Sequence, residues 1–205
     1  MTFDIDTFKA QGLVGGGARP SLFAVQMNGL PVGTAAIMQQ ISFLCQSATL
    51  PASEVDPIEV PYFGRRIKVA GERVFRDWSV NIMNDEDFAI RDLMESWSNV
   101  INTMESNVTT DGNDLLSYKI DGVTVNQYSK GGPVITDPTS EQGIIRSYGF
   151  YGLWPSRIGD IRLDWSQGQA IETYDVTFSY DYWLPQKVGN SVATYSGIES
   201  GSIAP

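Results

Sequence analysis

The chain has 205 residues, of which 42% are hydrophobic and 11% aromatic, and its 24 acidic and 14 basic residues give a formal net charge of -10. That length is enough to bury a core without disulfide bonds, and the many aromatic and β-branched residues favour strands. The negative charge argues against a nucleic-acid-binding protein, because binding phosphate groups needs clustered Lys and Arg. It suits a surface that repels a passing polyanion.

The residue types exclude several kinds of catalytic site. Histidine is absent, which removes the commonest general base and metal ligand, so Ser–His–Asp, Cys–His and zinc sites are excluded. Cys45 is the single cysteine, and its neighbours Phe43 and Leu44 favour a buried, unreactive thiol. The run Gly15–Gly17 lacks the spacing and the Lys of a phosphate-binding loop, so we expect no cofactor.

The first half of the chain predicts an arm, two strands and a hairpin. Residues 1–19 are weakly patterned and predict a flexible N-terminal arm. Apolar residues alternate over 21–27 and 41–46, which predicts two strands. Prolines at 51, 57 and 61 keep the next stretch from being a central strand, because proline cannot donate to a ladder. This stretch and the residues after it predict a projecting hairpin over Leu50 to Gly71.

A long strand over 73–83 leads into the clearest helix of the sequence. We expect Asn84 or Asp85 to cap this helix and Glu105 to lie near its end. Its apolar residues recur at helical spacing and form one stripe, comprising Ile90, Leu93, Met94, Trp97, Ile101 and Met104. Within this stripe, Leu93, Trp97 and Ile101 are predicted to anchor the helix to the core.

The second half of the chain returns to strands. Residues 106–143 are rich in Gly, Asn, Asp and Thr and allow one or two short strands, around Tyr118 and Tyr128. Three strands are predicted over 144–154, 158–165 and 171–183, and residues 184–205 predict a tail without a core. The fold class is therefore mainly β, an antiparallel β barrel or sandwich with one flanking amphipathic helix. Residues 20–183 are expected to form its single domain.

One acidic cluster is a candidate for chemistry. Asp85, Glu86 and Asp87 could serve a carboxylate-based hydrolase or coordinate a metal. Acidic side chains are also stabilised at a helix start, so we favour a capping and solvation role. No catalytic and no metal-binding residue is predicted.

Two binding functions remain as alternatives. Exposed aromatic side chains could form a carbohydrate-binding platform, although alternating aromatics are expected to be core. A basic cluster could contact nucleic acid, although a solvated or partner-facing edge is favoured in an acidic chain. This cluster holds five of the fourteen basic residues, namely Arg65, Arg66, Lys68, Arg73 and Arg76.

Seven short segments resemble, in order and spacing, the tail tube protein family of T4-like contractile bacteriophages. The resemblance runs from about residue 18 to residue 183, and its central block over 68–86 is the most specific part. The segments are 18–23, 48–52, 68–78, 82–86, Gly152-Leu153-Trp154-Pro155, Leu163-Asp164-Trp165 and Asp181-Tyr182-Trp183.

The resemblance implies a structural virion protein rather than an enzyme. Members of the family form a small β barrel with one helix, and six subunits close into a ring whose inner sheets surround a lumen. The rings stack on a baseplate up to a tail terminator, inside a contractile sheath, and genomic DNA passes through. The fold is shared with tube proteins of type VI secretion and of phage-tail-like bacteriocins. Two departures are a longer 106–143 segment and the tail beyond Trp183. A tube initiator or a type VI-like tube relative therefore remains as an alternative.

The predicted hairpin is the candidate for contact between rings. Its apolar residues Val55, Ile58, Val60 and Tyr62 need a cover that a small barrel does not supply. Its tip carries Arg65 and Arg66, which suit an acidic surface on a neighbour. We therefore expect these six residues to contact the adjacent ring. Residues 1–11 lack the features of a signal peptide, and no apolar run reaches membrane-spanning length, so we expect assembly in the host cytoplasm.

Overall fold

The computed structural model describes residues 17–109, 117–130, 143–166 and 168–186, together with Ile5 and Phe8. Residues 17–186 hold ten strands and two helices within this described part. All strand pairings are antiparallel, so the predicted mainly β class is confirmed, with two helices in place of the expected one. The elements are β1 (Phe23–Gln26), α1 (Ala35–Leu44), β2 (Cys45–Ala48), β3 (Glu54–Tyr62), β4 (Arg65–Val74), β5 (Trp78–Met83), α2 (Ala89–Ile101), β6 (Val123–Tyr128), β7 (Ile144–Tyr151), β8 (Trp154–Ile158), β9 (Thr173–Ser179) and β10 (Tyr182–Gln186).

Eight of the strands form two four-stranded sheets. Sheet 1 has the order β1–β6–β7–β10, and sheet 2 has the order β2–β5–β9–β8. The remaining strands, β3 and β4, form a separate hairpin inserted between β2 and β5 of sheet 2. A bridge between Ile120 and Leu153 adds two backbone hydrogen bonds of 3.0 and 2.9 Å outside these sheets.

The core follows from the two-residue alternation of sheet 2. In β5 and β9, every second residue is a large apolar one, and those residues are buried while the residues between them are exposed or half-buried. Trp78 of β5 stacks on Phe150 of sheet 1, with ring centroids 4.5 Å apart. Phe178 of β9 lies against Trp78 and Trp97, at 5.6 and 6.1 Å. Aromatic rings therefore join both sheets and α2 in one core.

The apolar stripe of α2 faces that core as its spacing predicts. Leu93 and Trp97 are buried, and Ile101 is half-buried against the core. The Trp97 Nε1 donates a 2.8 Å hydrogen bond to the Tyr118 carbonyl, so its polar atom is also satisfied.

The predicted ends of this helix are wrong. Phe88, and not Asn84 or Asp85, occupies the N-cap position, and its backbone is left-handed with φ 53. The reason is a turn in which the Phe88 amide donates to the Asp85 carbonyl, so the chain reverses before the helix begins. The helix ends at Ile101 rather than near Glu105, because the chain after it folds back on itself and leaves Met104 exposed.

The strand predicted over 41–46 is largely helical. The helix α1 continues through Leu44, and β2 begins only at Cys45. Ile41 is fully buried, and Ile37, Met38 and Leu44 pack beside it at helical spacing. The alternation that predicted a strand included Phe43, which is exposed.

Three other predicted strands have different bounds. The long strand over 73–83 is divided, because β4 ends at Val74 and β5 starts at Trp78. The strand predicted over 158–165 lies instead at Trp154–Ile158, and residues 159–165 form a loop. The strand predicted over 171–183 is two strands, because the chain leaves sheet 2 at Ser179 and enters sheet 1 at Tyr182.

Two predicted segments lie mainly outside the described residues. Of the predicted arm, residues 17–19 are described with Ile5 and Phe8, and of the predicted tail, Leu184–Gln186 are described. These last three residues belong to β10 and pair with β7, so the strand runs past Trp183. The described part of the 106–143 segment contains one strand, β6, which ends at Tyr128 as predicted. Tyr118 lies in a turn and not in a strand.

The first prediction concerns the core position of α2. Trp97→Ala should lower the free energy of unfolding by about 3–5 kcal/mol, because it empties a fully buried aromatic site. The matched control is Trp165→Ala, since Trp165 is fully exposed and its loss should change stability by less than about 0.5 kcal/mol. Chemical denaturation of the soluble subunit measures both values, and equal losses for the two variants would contradict the packing of α2.

Candidate assembly surfaces

The predicted hairpin is present as β3 and β4, which pair along their length. Tyr62 and Arg65 are the last paired residues, so the loop between them contains only Phe63 and Gly64. Both loop residues have positive φ angles, 43 and 78, which is the geometry whose twist matches a tight hairpin. Phe63 is 92% exposed at the tip. The chain therefore presents a long two-stranded ribbon that ends in an aromatic residue.

The hairpin has one apolar and one polar face, because directly paired residues lie on the same side of a ribbon. The apolar face carries the cross-strand pairs of Ile58 with Val69, Val60 with Ile67, and Tyr62 with Arg65. Its five apolar side chains are all exposed, and we call them the hairpin apolar face: Ile58, Val60, Tyr62, Ile67 and Val69. The opposite face carries Pro57, Glu59, Pro61, Arg66, Lys68 and Ala70.

The structure separates two of the six candidate contact residues from the other four. Arg66 lies on the polar face, where it donates a 2.8 Å hydrogen bond to Glu59. Val55 also alternates onto that face, and it pairs with Arg73 beyond a β-bulge. The bulge requires Gly71, since a Cβ there would lie 2.5 Å from the Asp56 carbonyl oxygen.

Two residues of the hairpin apolar face, Ile67 and Val69, were missed by sequence reasoning. Their signal is the alternation of β4, in which Ile67 and Val69 are two residues apart and pair with Val60 and Ile58 of β3. The hydrophobic surface is therefore built by both strands and not by the first strand alone.

The base of the hairpin is held to the sandwich by named contacts. The Trp78 Nε1 donates a 2.8 Å hydrogen bond to the Thr49 carbonyl, and the Trp183 Nε1 donates a 3.0 Å bond to the Ala52 carbonyl. Arg76 donates two bonds of 2.5 and 2.9 Å to Glu54, and this guanidinium lowers the pKa of the Glu54 carboxyl. Because that ion pair and the Trp183 bond are exposed, the buried Trp78 indole carries most of the attachment.

Sheet 2 offers a second surface, on the side away from the core. Its polar side chains bond to one another across the strands, with Asn81 donating to Asp175 at 2.8 Å and Ser179 donating to Asp77 at 2.8 Å. Ser79 and Thr177 add a hydroxyl contact of 3.3 Å. The two edges of this sheet are β2 and β8. Sheet 2 thus combines one buried face, one polar face and two edge strands.

The three carboxylates considered for catalysis lie together in the turn before α2. Glu86 and Asp87 are exposed and Asp85 is half-buried, in the turn before α2. Among the described residues, no group of three acidic, cysteine or histidine side chains is arranged to hold a metal ion.

Burial raises the pKa of the Cys45 thiol to about 12. Within the described ranges, no helix has the length and apolarity needed to span a membrane.

The structure also shows where the residues of the two binding alternatives lie. Trp78 and Trp97 are buried in the core, so they are not available to a carbohydrate platform, whereas Trp165 is exposed. The basic cluster is spread over the hairpin and does not form one patch. Arg73 donates to the Ser53 hydroxyl at the hairpin base, close to the bond between Arg76 and Glu54, and Arg65, Arg66 and Lys68 are divided between its two faces.

Comparison with known proteins decides between these alternatives. The model of the family described as phage tail tube protein matches residues 18–186. The chain belongs to the phage tail tube protein family. It is 33% identical over 166 residues to tail tube protein gp19 of Enterobacteria phage T4, which is 81% of this chain and 90% of that protein. It is 23% identical over 136 residues to the tail tube protein of Serratia phage KSP90, covering 66% and 68% of the two chains.

Solved structures show the same fold at low identity. The PVC sheath/tube terminator of an extracellular contractile injection system has a TM-score of 0.55 at 13% identity, covering 83% of this chain and 97% of that one. The PVC sheath–tube complex has a TM-score of 0.50 at 13% identity, covering 91% and 100%. The expected family and function are confirmed: the chain is a structural tail tube subunit of a contractile system and a component of the virion tail.

The second prediction concerns the thiol of Cys45. In the native subunit at pH 8, Cys45 should resist alkylation, because it is buried and its pKa is raised to about 12. In denaturant the same thiol should react at once, with one label per chain. Mass spectrometry after timed labelling measures both rates. A native rate equal to that of the denatured chain would show that the β2 end of sheet 2 is open to solvent.

Proposed function

We propose that six copies of this chain close into a ring. In this ring, sheet 2 of each copy lies edge to edge with sheet 2 of its neighbours around a lumen. The observation that carries the proposal is the construction of sheet 2, with its core face, its polar face and its edge strands β2 and β8. An exposed edge invites uncontrolled pairing, and ring closure covers both edges of every subunit. The number six comes from the resemblance to the tail tube family.

The polar face of sheet 2 is the surface that we assign to the lumen. Asp77 and Asp175 place two carboxylates there, and Ser79, Thr177 and Ser179 place hydroxyls. These side chains bond to one another across the strands, and the Asn81 Oδ1 is the buried acceptor of this face that has no partner among the described residues. Arg157 of β8 pairs directly with Thr177 and places one guanidinium on the same face, so two carboxylates stand against one basic group. A hydroxyl-rich wall with this net negative charge repels phosphate groups and supports the passage of genomic DNA without specific binding.

Rings of this kind stack into a tube, and the β3–β4 hairpin is the proposed link between them. A sheath protein surrounds the tube, and baseplate and tail terminator proteins close its ends. The solved relatives described as a sheath–tube complex and a sheath/tube terminator support these partners. The match to 90% of gp19 favours the main tube subunit over a tube initiator. The role is structural and non-catalytic, and assembly takes place in the host cytoplasm.

Electron cryomicroscopy of the purified, assembled protein tests the ring directly. We expect hollow rods with sixfold symmetry in which Asp175 and Thr177 face the lumen. Rods lined by sheet 1 would contradict the assignment of the lumen, and a protein that stays monomeric at every concentration would contradict the assembly itself.

The third prediction concerns the hairpin. Replacing residues 57–70 by a two-residue turn should leave a folded subunit that makes no long tubes, because the hairpin apolar face is lost. Charge reversal by Arg65→Glu with Arg66→Glu should slow polymerisation, and more so at low salt, where charges are least screened. Light scattering and electron microscopy measure both effects.

The control for charge reversal is Lys130→Glu. Lys130 is exposed at the end of β6 and lies outside the hairpin, so its reversal should leave the polymerisation rate unchanged. Normal tubes from the shortened hairpin would show that rings stack through another surface.

A further inference from the structure

The connection between β1 and α1 carries the single Asn–Gly dipeptide of the sequence, at Asn28 and Gly29. Both residues are exposed and lie outside the strands and helices. Met27 before them and Leu30 after them are buried in the core. The segment is therefore held on both sides, while the dipeptide between the two core residues stands in solvent.

The two groups of this dipeptide that can react with each other are unbonded. Within the described part of the chain, neither the side-chain amide of Asn28 nor the backbone N–H of Gly29 has a hydrogen-bond partner. Gly29 has a φ of 75, and no atom lies within 4 Å of the position that a Cβ would take. Glycine leaves its own nitrogen unshielded and lets the backbone rotate easily. The Asn28 carboxamide can therefore approach the Gly29 nitrogen.

Water also reaches the dipeptide. An open groove of about 290 Å³ lies between the end of β1 and α1, and it is lined by Gln26, Met27, Asn28, Ala35, Met38, Gln39 and Ser42. Asn28 is thus in contact with solvent on the groove side. Hydrolysis at this position requires no opening of the core.

We propose that Asn28 is a site of spontaneous deamidation in the native subunit. The Gly29 nitrogen attacks the Asn28 Cγ, a bond forms between these two atoms, and the bond from Cγ to Nδ2 breaks. The Gly29 nitrogen gives up its proton and Nδ2 leaves as ammonia, which produces a cyclic imide. Water then opens one of the two imide carbonyls and gives an aspartyl or an isoaspartyl linkage. Water is the only co-reactant, and nothing is oxidised or reduced.

The isoaspartyl product changes the backbone as well as the charge. The side-chain methylene of residue 28 enters the main chain, so the path between Met27 and Leu30 becomes one atom longer. Both of these residues are fixed in the core, and β1 is an edge strand of four residues that pairs only with β6. The longer path should therefore loosen this edge of sheet 1. The aspartyl product adds only an exposed carboxylate, which is ionised at neutral pH.

Two other positions of the chain are matched controls. Asp121 also precedes a glycine of positive φ, and its carboxyl could form the same imide by loss of water. Its Oδ1 accepts a 2.7 Å hydrogen bond from the Gly152 N–H, which ties it to another segment. Asn107 is exposed, but it is bonded to Asn102 at 2.6 Å and is followed by a valine, whose branched side chain shields the nitrogen.

Timed incubation of the purified subunit at mildly alkaline pH tests the site, with the chain unfolded in guanidinium as the reference. Peptide mass spectrometry measures the loss of the Asn28 amide, and an isoaspartate-specific methyltransferase measures the isoaspartyl product. The native rate should lie within about tenfold of the unfolded rate, because an exposed, unbonded loop opens with almost no free-energy barrier. In the same native sample, Asp121 and Asn107 should stay unchanged.

Three variants and treatments separate the consequences. Asn28→Gln should stop the conversion, because its longer side chain closes a ring less readily. Asn28→Asp introduces the carboxylate without the extra backbone atom, so it should melt at the same temperature as the fresh subunit. The incubated isoaspartyl subunit should melt at a lower temperature, and repair by the methyltransferase should restore part of the difference.

A native rate more than about tenfold below the unfolded rate would overturn the proposal, since the fold would then be keeping the two groups apart. Equal melting of the fresh and the isoaspartyl subunits would overturn the loosening of β1. The reaction needs only the single subunit, so neither result depends on the proposed ring.

Discussion

The indole of Trp78 joins the core of the subunit to the part that reaches outward. Its ring stacks on Phe150 and lies against Phe178, while its Nε1 donates to the Thr49 carbonyl at the start of the hairpin connection. An isolated two-stranded ribbon is marginally stable in water, so this ribbon depends on its attachment. The exposed pair between Arg76 and Glu54 adds little, because solvent screens it. A buried side chain therefore sets the position from which the hairpin leaves the sandwich.

The subunit exposes two edge strands and an apolar face, which are features that contact with another copy would cover. Sheet 2 leaves β2 and β8 as edges, and the hairpin apolar face has no cover within the described part of the chain. The polar face of sheet 2 differs from both, because its side chains are already bonded to one another. Edges and apolar faces gain from contact with another copy, whereas a polar face that is hydrogen-bonded within its own sheet gains less. This contrast separates the surfaces that we assign to assembly from the one that we assign to the lumen.

Sequence patterns predicted the elements whose periodicity comes from a buried face. The alternation in β5 and β9 and the helical stripe of α2 identify core residues such as Val80, Val176 and Trp97, because burial requires these spacings. The same alternation misled at 159–165, which form a loop and not a strand: Ile161 packs against the core, whereas Leu163 and Trp165 are exposed. It also missed α1, whose single fully buried residue, Ile41, gives little signal. The resemblance to the tail tube family predicted the function. It did not predict which hairpin residues share a face, because that depends on the register and the bulge in the pairing of β3 with β4.

The hairpin leaves sheet 2 at the Trp78 end of β5, whereas the turn before α2 lies at the Met83 end. In the proposed stacking of rings, this asymmetry gives the tube a polarity, because one terminus displays uncovered hairpin apolar faces and the other displays the end of sheet 2 that carries none. A protein that seeds such a tube needs to imitate only one of these surfaces, and a protein that halts elongation needs only the other. Length control in this proposal requires a cap whose surface resembles one end of the subunit and lacks the other.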